Sequence, residues 1–570
     1  MTVIATAGHV DHGKSTLVRA LTGTDPDRLA EEKTRGLTID LGFANLALTR
    51  KRSISLIDVP GHIRFLRNML AGVGAVQGTL FVVSATEGWK PQSEEHLQIL
   101  DLLGIKHAVI ALTMADLVDA ELLELAILDI EDHVAGTFAE GAPIVPVSSI
   151  TGTGIDNLKS KLTDLFEAVG AAHNRNAPRL WVDRSFSPTG SGTVVTGTLT
   201  DGTLKAGDQI TVVPSMEQGR VRALQSHYSA LDSVRPGNRV AINLSGISHA
   251  AVGRGDVLVH PDRWHSTAII DAELKVLPRV GHPLTRRGAF LTYIGSGEFP
   301  TRIRLLAGQR QIEPGSTGRV RLYLDREVPA LPGDRFILRE SGRSETLGGG
   351  RFLDIDPIRP ARLAEPDGNP DRVITERGWV QSELFARLTG ESREPTVGNW
   401  IVSTAARQET EAGIRARVSA AGALGLDAAL LDERERALIG LLDDILVQDG
   451  RVTVGAAVSI LSDHPWVADL DADPFRPASP DGVDRNELRT MVRQGVVVES
   501  NGIYFSANAI ERAVDLLRPK FAAAPDGLTV AEIRDVLDTS RKYVLALVAH
   551  LDANGRTRRR GDFRIPGPRL

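Results

Sequence analysis

The 570-residue chain contains no cysteine. That absence excludes disulfides, thiolate zinc sites and cysteine nucleophiles together, so any metal must be held by oxygen or by histidine. Nor does any apolar stretch approach the roughly 20 residues that a membrane helix needs. The opening MTVIATAGHV also lacks a basic segment followed by a signal-type apolar core. The expectation is a soluble, cytoplasmic protein with no membrane partner. Excess charge is scarce as well: 66 Lys and Arg against 72 Asp and Glu leave a net charge of -6, no global sign of nucleic-acid affinity. The exception is local, because between Arg541 and Leu570 eight basic residues outweigh two acidic ones and leave +6 at one end.

What is present is 42% apolar and 24% charged, the balance of a globular protein. At roughly 150 residues per domain the length predicts about four units. Residues 1–172 alternate strand-like runs (VIATA, SISLIDV, GTLFVVSA, HAVIALT, PIVPVSS) with helix-like ones, which predicts a parallel α/β sheet. From about 177 to 360 short β-branched runs punctuated by glycine predict two β-barrels, over 173–261 and 262–361, parted where PDRW interrupts the pattern. After the linker PARLAEPDGNP, residues 362–570 predict tandem small helical domains of winged-helix type. One clear unit is GLTVAEIRDVL, TSRKYVLALVAHLDANG, RTRRRGDFRIP: helix, turn, helix, wing.

Residues 8–15, GHVDHGKS, satisfy GxxxxGK[ST] between a strand and a helix. Such a loop cradles phosphates with its amides, so Asp11, His12, Gly13, Lys14, Ser15 and Thr16 are candidate nucleotide contacts, with Lys14 near the β- and γ-phosphates and Ser15 on Mg2+. DVPGH places Asp58 for Mg2+ through water, Gly61 for close backbone approach to a γ-phosphate, and His62 where an attacking water would sit. In EEKTRGLTID, Thr38 could ligate Mg2+ only with a γ-phosphate bound, which would make the segment a switch. Thr113 and Asp116 in LTMAD, with Ser148 and Ser149 in VPVSS, form the base end. A carboxylate accepting from a ring N–H and an exocyclic amine suits guanine and repels adenine. The cofactors expected are therefore GTP or GDP with Mg2+. Met114 stands where the commonest guanine-reading turn has lysine. It can cover a base but cannot tie the turn to the phosphate loop, so nucleotide affinity is expected to be weaker by about 1.5 to 3 kcal/mol, and Met114→Lys to restore it.

The segments AGHVDHGKST, RGLTID, DVPGH and SSITGTG resemble those of translational GTPases of the elongation factor Tu type. RGLTIDLG and the barrel runs GSGTVVTGTL and PGNRVAINLSG resemble, within that superfamily, the bacterial selenocysteine-specific elongation factors. The resemblance implies a GTPase stimulated by the ribosome, delivering selenocysteinyl-tRNA at UGA codons marked by an mRNA hairpin, as a monomer. It implies catalysis through His62, a role for Asp11 in fixing ions and loop shape, and an aminoacyl pocket in the 173–261 barrel from Asp183, Arg184 and Arg239. Two guanidiniums near a selenolate would discriminate it from neutral serine as no hydrophobic pocket could.

The C-terminal unit points to RNA independently of that resemblance. Arg541, Lys542 and Tyr543 open its second helix and Arg558, Arg559 and Arg560 lie on its wing, so phosphate contacts and base stacking are available together. Two other readings stay open: a paralogous translational GTPase for another tRNA, which the helical tail opposes, and an RNA-tethering protein that no longer cycles nucleotide. Met114 favours the latter, and the intact Lys14, Thr38, Asp58 and His62 oppose it.

Overall fold

A computed structural model describes residues 2–27, 32, 38–49, 52–61, 66–73, 76–190, 192–226, 229–343, 345–454, 461–524 and 526–570. His62 lies outside the described residues. Two compact units are present, Met1–Glu394 and Pro395–Leu570.

In the first unit, β1 (Thr2–Ala7), β3 (Arg52–Asp58), β4 (Gly78–Ser84), β5 (Ala108–Thr113) and β6 (Ile144–Pro146) form a parallel sheet ordered β3-β1-β4-β5-β6. The sheet is not wholly parallel as expected: β2 (Gly42–Thr49) pairs antiparallel with β3 at its edge. Its GFANLALT breaks the run of large apolar residues that marks the inner strands, which are buried on both faces. Helices alternate with the strands, and Ile4, Leu17, Leu80, Ala111 and Leu158 meet in one core. The described candidates Lys14, Ser15, Asp58, Thr113 and Ser148 follow or close the carboxyl ends of these strands, where an open α/β sheet binds ligands.

The next sheet runs β10 (Gln209–Val213), β15 (Val257–Val259), β7 (Arg179–Phe186), β8 (Thr193–Thr200), β14 (Asn238–Ser245), β11 (Gln218–Ser226), and β10 pairs back to β11. A second ring, β16 (Ser266–Val276), β19 (Thr317–Pro329), β18 (Gly297–Leu305), β17 (Phe290–Ile294), β20 (Arg335–Glu340), β21 (Glu345–Asp354), is closed. Arg179 fastens the two barrels: buried and lying 4.5 Å over the Trp264 ring, it donates to Asp334 at 2.5 and 2.9 Å and to Asp201 at 3.2 Å. The helices Pro370–Arg377 and Ser382–Thr389 belong to this unit, with Arg372 bonded to Asp354 at 2.9 Å and Arg377 to Asp356 at 2.8 Å.

The second unit is built of short helices and small antiparallel sheets. Its last part has the helix-turn-helix-wing order: Val530–Val536 with a Thr529/Glu532 capping box, Arg541–Ala553, then the strands Thr557–Arg560 and Phe563–Pro566. No helix among the described residues is long and apolar enough to cross a membrane.

Candidate functional site

The phosphate loop leaves β1 through Gly8, whose φ of 129° no other residue tolerates; a Cβ there would lie 2.1 Å from the Val82 carbonyl oxygen. Asp11 and Gly13 are also left-handed, with φ of 63° and 79°, and the helix Lys14–Thr22 starts immediately after. A neighbouring helix, Pro91–Leu102, steadies the loop: the Gly8 N–H donates to His96 Nδ1 and the Val10 N–H to Gln92 Oε1, both at 3.1 Å. His96 must be neutral to accept that bond, and burial pushes its pKa down to about 3. His96 and Gln92 were not evident in the sequence, where KPQSEEHLQIL reads as an ordinary helix.

Lys14 is buried and donates to the Gly8 and His9 carbonyls at 3.2 and 2.5 Å. Burial lowers its pKa to about 8. A bound phosphate would hold that proton, so below pH 8 the free protein already carries it, whereas above pH 8 binding must take one up. Affinity for GDP and GTP is therefore expected to fall above pH 8, by up to about tenfold per pH unit, in nucleotide titrations between pH 7 and 9. A flat profile would show that Lys14 stays charged in the free protein.

The predicted Mg2+ ligands meet. Ser15 Oγ donates to Asp58 Oδ2 at 2.7 Å and lies 2.7 Å from Thr38 Oγ1, which donates to Asp27 Oδ1 at 2.9 Å. Thr6 holds the other Asp58 oxygen at 2.7 Å, and burial raises the Asp58 pKa. No cluster of three or more His, Asp or Glu among the described residues could cage a metal. Two hydroxyls with one buried carboxylate are hard donors that suit Mg2+, which keeps waters and takes further oxygens from phosphates. Asp27 was missed in the sequence because nothing in TDPDRL signals that its carboxylate turns back toward Thr38. Gly61 closes the site: a Cβ there would lie 2.5 Å from Lys14 Nζ and 2.7 Å from the Val10 nitrogen.

At the base end, pairing of β5 with β6 and a bond from the Ala115 N–H to the Val147 carbonyl at 3.3 Å bring the two turns together. Asp116 is exposed, Ser148 is buried with its hydroxyl accepting the Thr151 N–H at 3.1 Å, and Ser149 is half-buried. Two candidates turn inward instead of toward a ligand. The Thr113 hydroxyl donates to the His12 carbonyl at 2.8 Å, and the His12 ring is buried beneath the loop with its pKa held down to about 4. Thr16 is exposed on the first helical turn.

Thr113 therefore supplies the tie to the phosphate loop that Met114 was expected to leave missing. Met114 itself is left-handed, with φ of 56°, and its sulfur accepts from Ser84 Oγ at 3.3 Å and Thr86 Oγ1 at 3.7 Å. The expected gain from Met114→Lys is correspondingly smaller, at most about 1.5 kcal/mol or roughly tenfold in GDP affinity. Thr113→Ala should lose a comparable amount. Equilibrium titration of both variants checks the division of labour.

Of the three aminoacyl-pocket candidates, Asp183 and Arg239 bond to each other while Arg184 is bonded elsewhere. A bulge between Val182 and Arg184 falls in the β7–β8 pairing. Asp183 is buried, taking Thr196 Oγ1 at 2.5 Å and Arg239 at 3.0 and 3.2 Å. Arg184 leaves for the α/β domain, donating to Asp40 at 3.0 Å and to the Leu41 carbonyl. Both guanidiniums stack on Phe43, Arg239 at 3.5 Å and Arg184 at 4.9 Å from the ring centre. A cavity of about 270 Å³ opens beside them, lined in part by Phe43, Phe186 and Arg239.

In the second unit Arg541, Lys542, Arg558, Arg559 and Arg560 are exposed; Lys542 Nζ lies 5.4 Å over the Tyr543 ring. Alternation along the strand puts Arg559 on the opposite face from Arg558 and Arg560. Arg541 and Arg559 line one cleft of about 460 Å³, joined by Arg534, which the sequence reading did not single out.

Residues 1–168 match the elongation factor Tu GTP binding domain, 192–259 elongation factor Tu domain 2, 271–359 the beta-barrel domain of selenocysteine-specific elongation factor, and 520–565 the winged helix of elongation factor SelB. The chain is 32% identical to a selenocysteine-specific elongation factor of Desulfomicrobium baculatum, covering 99% of each chain. It is 30% identical to that of Escherichia coli, covering 98% of each. A crystal structure of bacterial selenocysteine-specific elongation factor EF-Sec superposes with a TM-score of 0.73 at 26% identity, over 99% of both chains.

Proposed function

The chain belongs to the family of selenocysteine-specific elongation factors, GTP-dependent translation factors, and from that premise we propose that it carries selenocysteinyl-tRNA, as a monomer, to ribosomes halted at UGA codons marked by an mRNA hairpin. The α/β domain binds GTP and GDP and is a GTPase. In the proposed division, residues 1–172 cycle nucleotide, the 173–261 barrel holds the aminoacyl group, 262–361 forms the second barrel, and the winged-helix region of 362–570 grips the hairpin in the cytoplasm.

One observation carries this reading: the guanidiniums of Arg184 and Arg239 flank Phe43, a few residues past Thr38 at the Mg2+ site. Cargo identity and nucleotide state are thus read on either side of one short segment, Thr38–Phe43. Mg2+ when bound would supply charge neutralisation at the phosphates; the residues that would hold it are Ser15, Thr38 and Asp58. Lys14 neutralises phosphate charge, the loop amides orient it, Asp116 selects guanine, and His62 positions water. The test is protection of the aminoacyl ester against hydrolysis. Selenocysteinyl-tRNA should be protected in the presence of GTP and much less with GDP, and seryl-tRNA should not be. Equal protection of both tRNAs would overturn the reading.

A further inference from the structure

Three stretches far apart in sequence wall a cavity of about 570 Å³ beside the joint between the barrels. Arg175 comes from the link into the first barrel, Arg263 and Trp264 from the segment between the barrels, and Arg387 from the helix Ser382–Thr389. The fold draws them together. Gly390 ends that helix in the left-handed region, with φ of 74°, and a Cβ there would lie 2.2 Å from Arg175 Nη1. The Arg175 N–H donates to the Asp201 carbonyl at 2.7 Å, and Arg179, which fastens the barrels, stacks on Trp264.

Donors are left over in this wall. Arg387 Nε and Trp264 Nε1 are buried, and neither has a hydrogen-bond partner among the described residues. Native proteins satisfy nearly all buried donors, because an unmade bond forfeits the hydration of the group. Arg179 holds the Trp264 ring, so that N–H cannot turn to another acceptor. Arg387 is also without an ion pair among the described residues, although Glu383, in the same wall, stands one helical turn before it at the spacing that favours one. Arg263 is exposed and unpaired in the same way beside Asp262. The other two arginines of the wall are matched, Arg175 with Asp201 at 4.0 Å and Arg393 with Asp371.

Two unmatched guanidiniums lining one cavity repel each other unless an anion joins them, and their forks match the oxygens of a phosphate. A tetrahedral phosphate presents oxygens in several directions, as donors from separate segments require, whereas a carboxylate presents two in one plane. The unsatisfied nitrogens lie within the wall, where a polynucleotide strand crossing the surface would not reach. We propose that this cavity binds a small phosphate-bearing anion through Arg263 and Arg387, and that the anion fastens the helix Ser382–Thr389 to the barrels. The site is separate from the nucleotide, aminoacyl and wing residues, and tRNA delivery is not needed for it. Inorganic phosphate or a phosphorylated small molecule would supply the same group.

The experiment uses the full chain loaded with GDP and Mg2+, so that the phosphate loop is filled, in calorimetric titrations with inorganic phosphate, pyrophosphate and ribose 5-phosphate. At least one should bind at a single site in the millimolar range or tighter and raise the melting midpoint, as a ligand of the folded state does. The tightest of the three identifies the source. Arg263→Ala and Arg387→Met should each weaken that binding by about tenfold or more, the loss of one charge-assisted bond. Arg387→Met also removes a buried unsatisfied donor, so the midpoint without anion should hold or rise. Unchanged GDP affinity and a cooperative melt show that each variant is folded, and Arg263→Ala, at an exposed position, keeps the test open should Arg387→Met not fold. Binding that persists undiminished in both variants overturns the proposal, as does the absence of binding by all three anions. Equal binding of succinate would mean an unselective cationic surface and would also overturn it. If none of the anions binds but both variants lose affinity for tRNA, the arginines meet a polynucleotide, and the proposal falls while tRNA delivery stands.

Discussion

Arg239→Ala is expected to reduce the preference for selenocysteinyl- over seryl-tRNA by roughly 30-fold or more, the ~2 to 5 kcal/mol that follows from truncating one partner of a desolvated charge pair. A selenolate is an anion at neutral pH and serine is not, so discrimination depends on a guanidinium that water cannot screen. Arg239 is the better placed of the two: its side chain is 18% exposed, clamped by Asp183 and Thr196, and pressed on Phe43. Each guanidinium already has a carboxylate, however, so an arriving selenolate must compete. Asp40 is the carboxylate it can displace, being 35% exposed where Asp183 is 7% exposed. In the proposed pocket, displacing Asp40 from Arg184 would act on the segment that carries Thr38, so cargo binding would be coupled to the proposed Mg2+ site. The measurement is the ratio of dissociation constants for the two aminoacyl-tRNAs with GTP. Arg239→Lys keeps the charge without the fork and should fall between. Because Arg239→Ala strands a buried Asp183, the Asp183→Asn, Arg239→Ala double variant should recover stability but not preference; recovered preference would put discrimination elsewhere.

The legible parts of this molecule are those where backbone conformation or charge restricts the residue. The phosphate loop needs glycine at Gly8 and Gly13 and an ammonium at Lys14, so GHVDHGKS identifies it unaided. The sheet's inner strands, with their runs of buried apolar residues, were equally plain. The helix Ala120–Val134 was less so, since Leu122, Leu125 and Leu128 are more than half exposed and blur its apolar face. Strand β2 was missed because its GFANLALT mixes Phe43, Leu46 and Leu48 with small and polar residues and lacks the β-branched run of an inner strand. Within the sites, residue type was readable and direction was not. Thr113 was expected beside the base and instead fastens the phosphate loop. Asp183 and Arg184 were expected as a pair, yet neighbours on a strand point to opposite faces, and the β7–β8 bulge sends Arg184 to Asp40. Long-range partners such as His96 for Gly8 lie 88 residues apart, and nothing local announces them.

His62→Ala is expected to slow ribosome-stimulated GTP hydrolysis by roughly 10²- to 10⁴-fold while leaving nucleotide and aminoacyl-tRNA affinity intact. The groups proposed to hold phosphate and cation are elsewhere: Lys14 against the loop carbonyls, and Ser15 in contact with both Thr38 and Asp58. Removing His62 takes none of them away, so binding should survive. What precedes it in the chain is firmly fixed. Asp58 is held by Thr6 and Ser15, the Val59 N–H donates to Thr6 at 3.1 Å, and Gly61 abuts Lys14 too closely to admit a side chain. Gly61 is thus fixed beside the phosphate loop, and the role proposed for His62 is to orient water for in-line attack on the γ-phosphate. Single-turnover hydrolysis with ribosomes measures the loss, and His62→Gln separates the two ways in which it could arise. If the imidazole chiefly orients water, glutamine, which can accept and donate hydrogen bonds but not take up the proton, should restore much of the rate. If proton transfer dominates, glutamine should be as slow as alanine. Hydrolysis undiminished in His62→Ala would remove the residue from the mechanism and leave catalysis to the loop, the cation site and the ribosome.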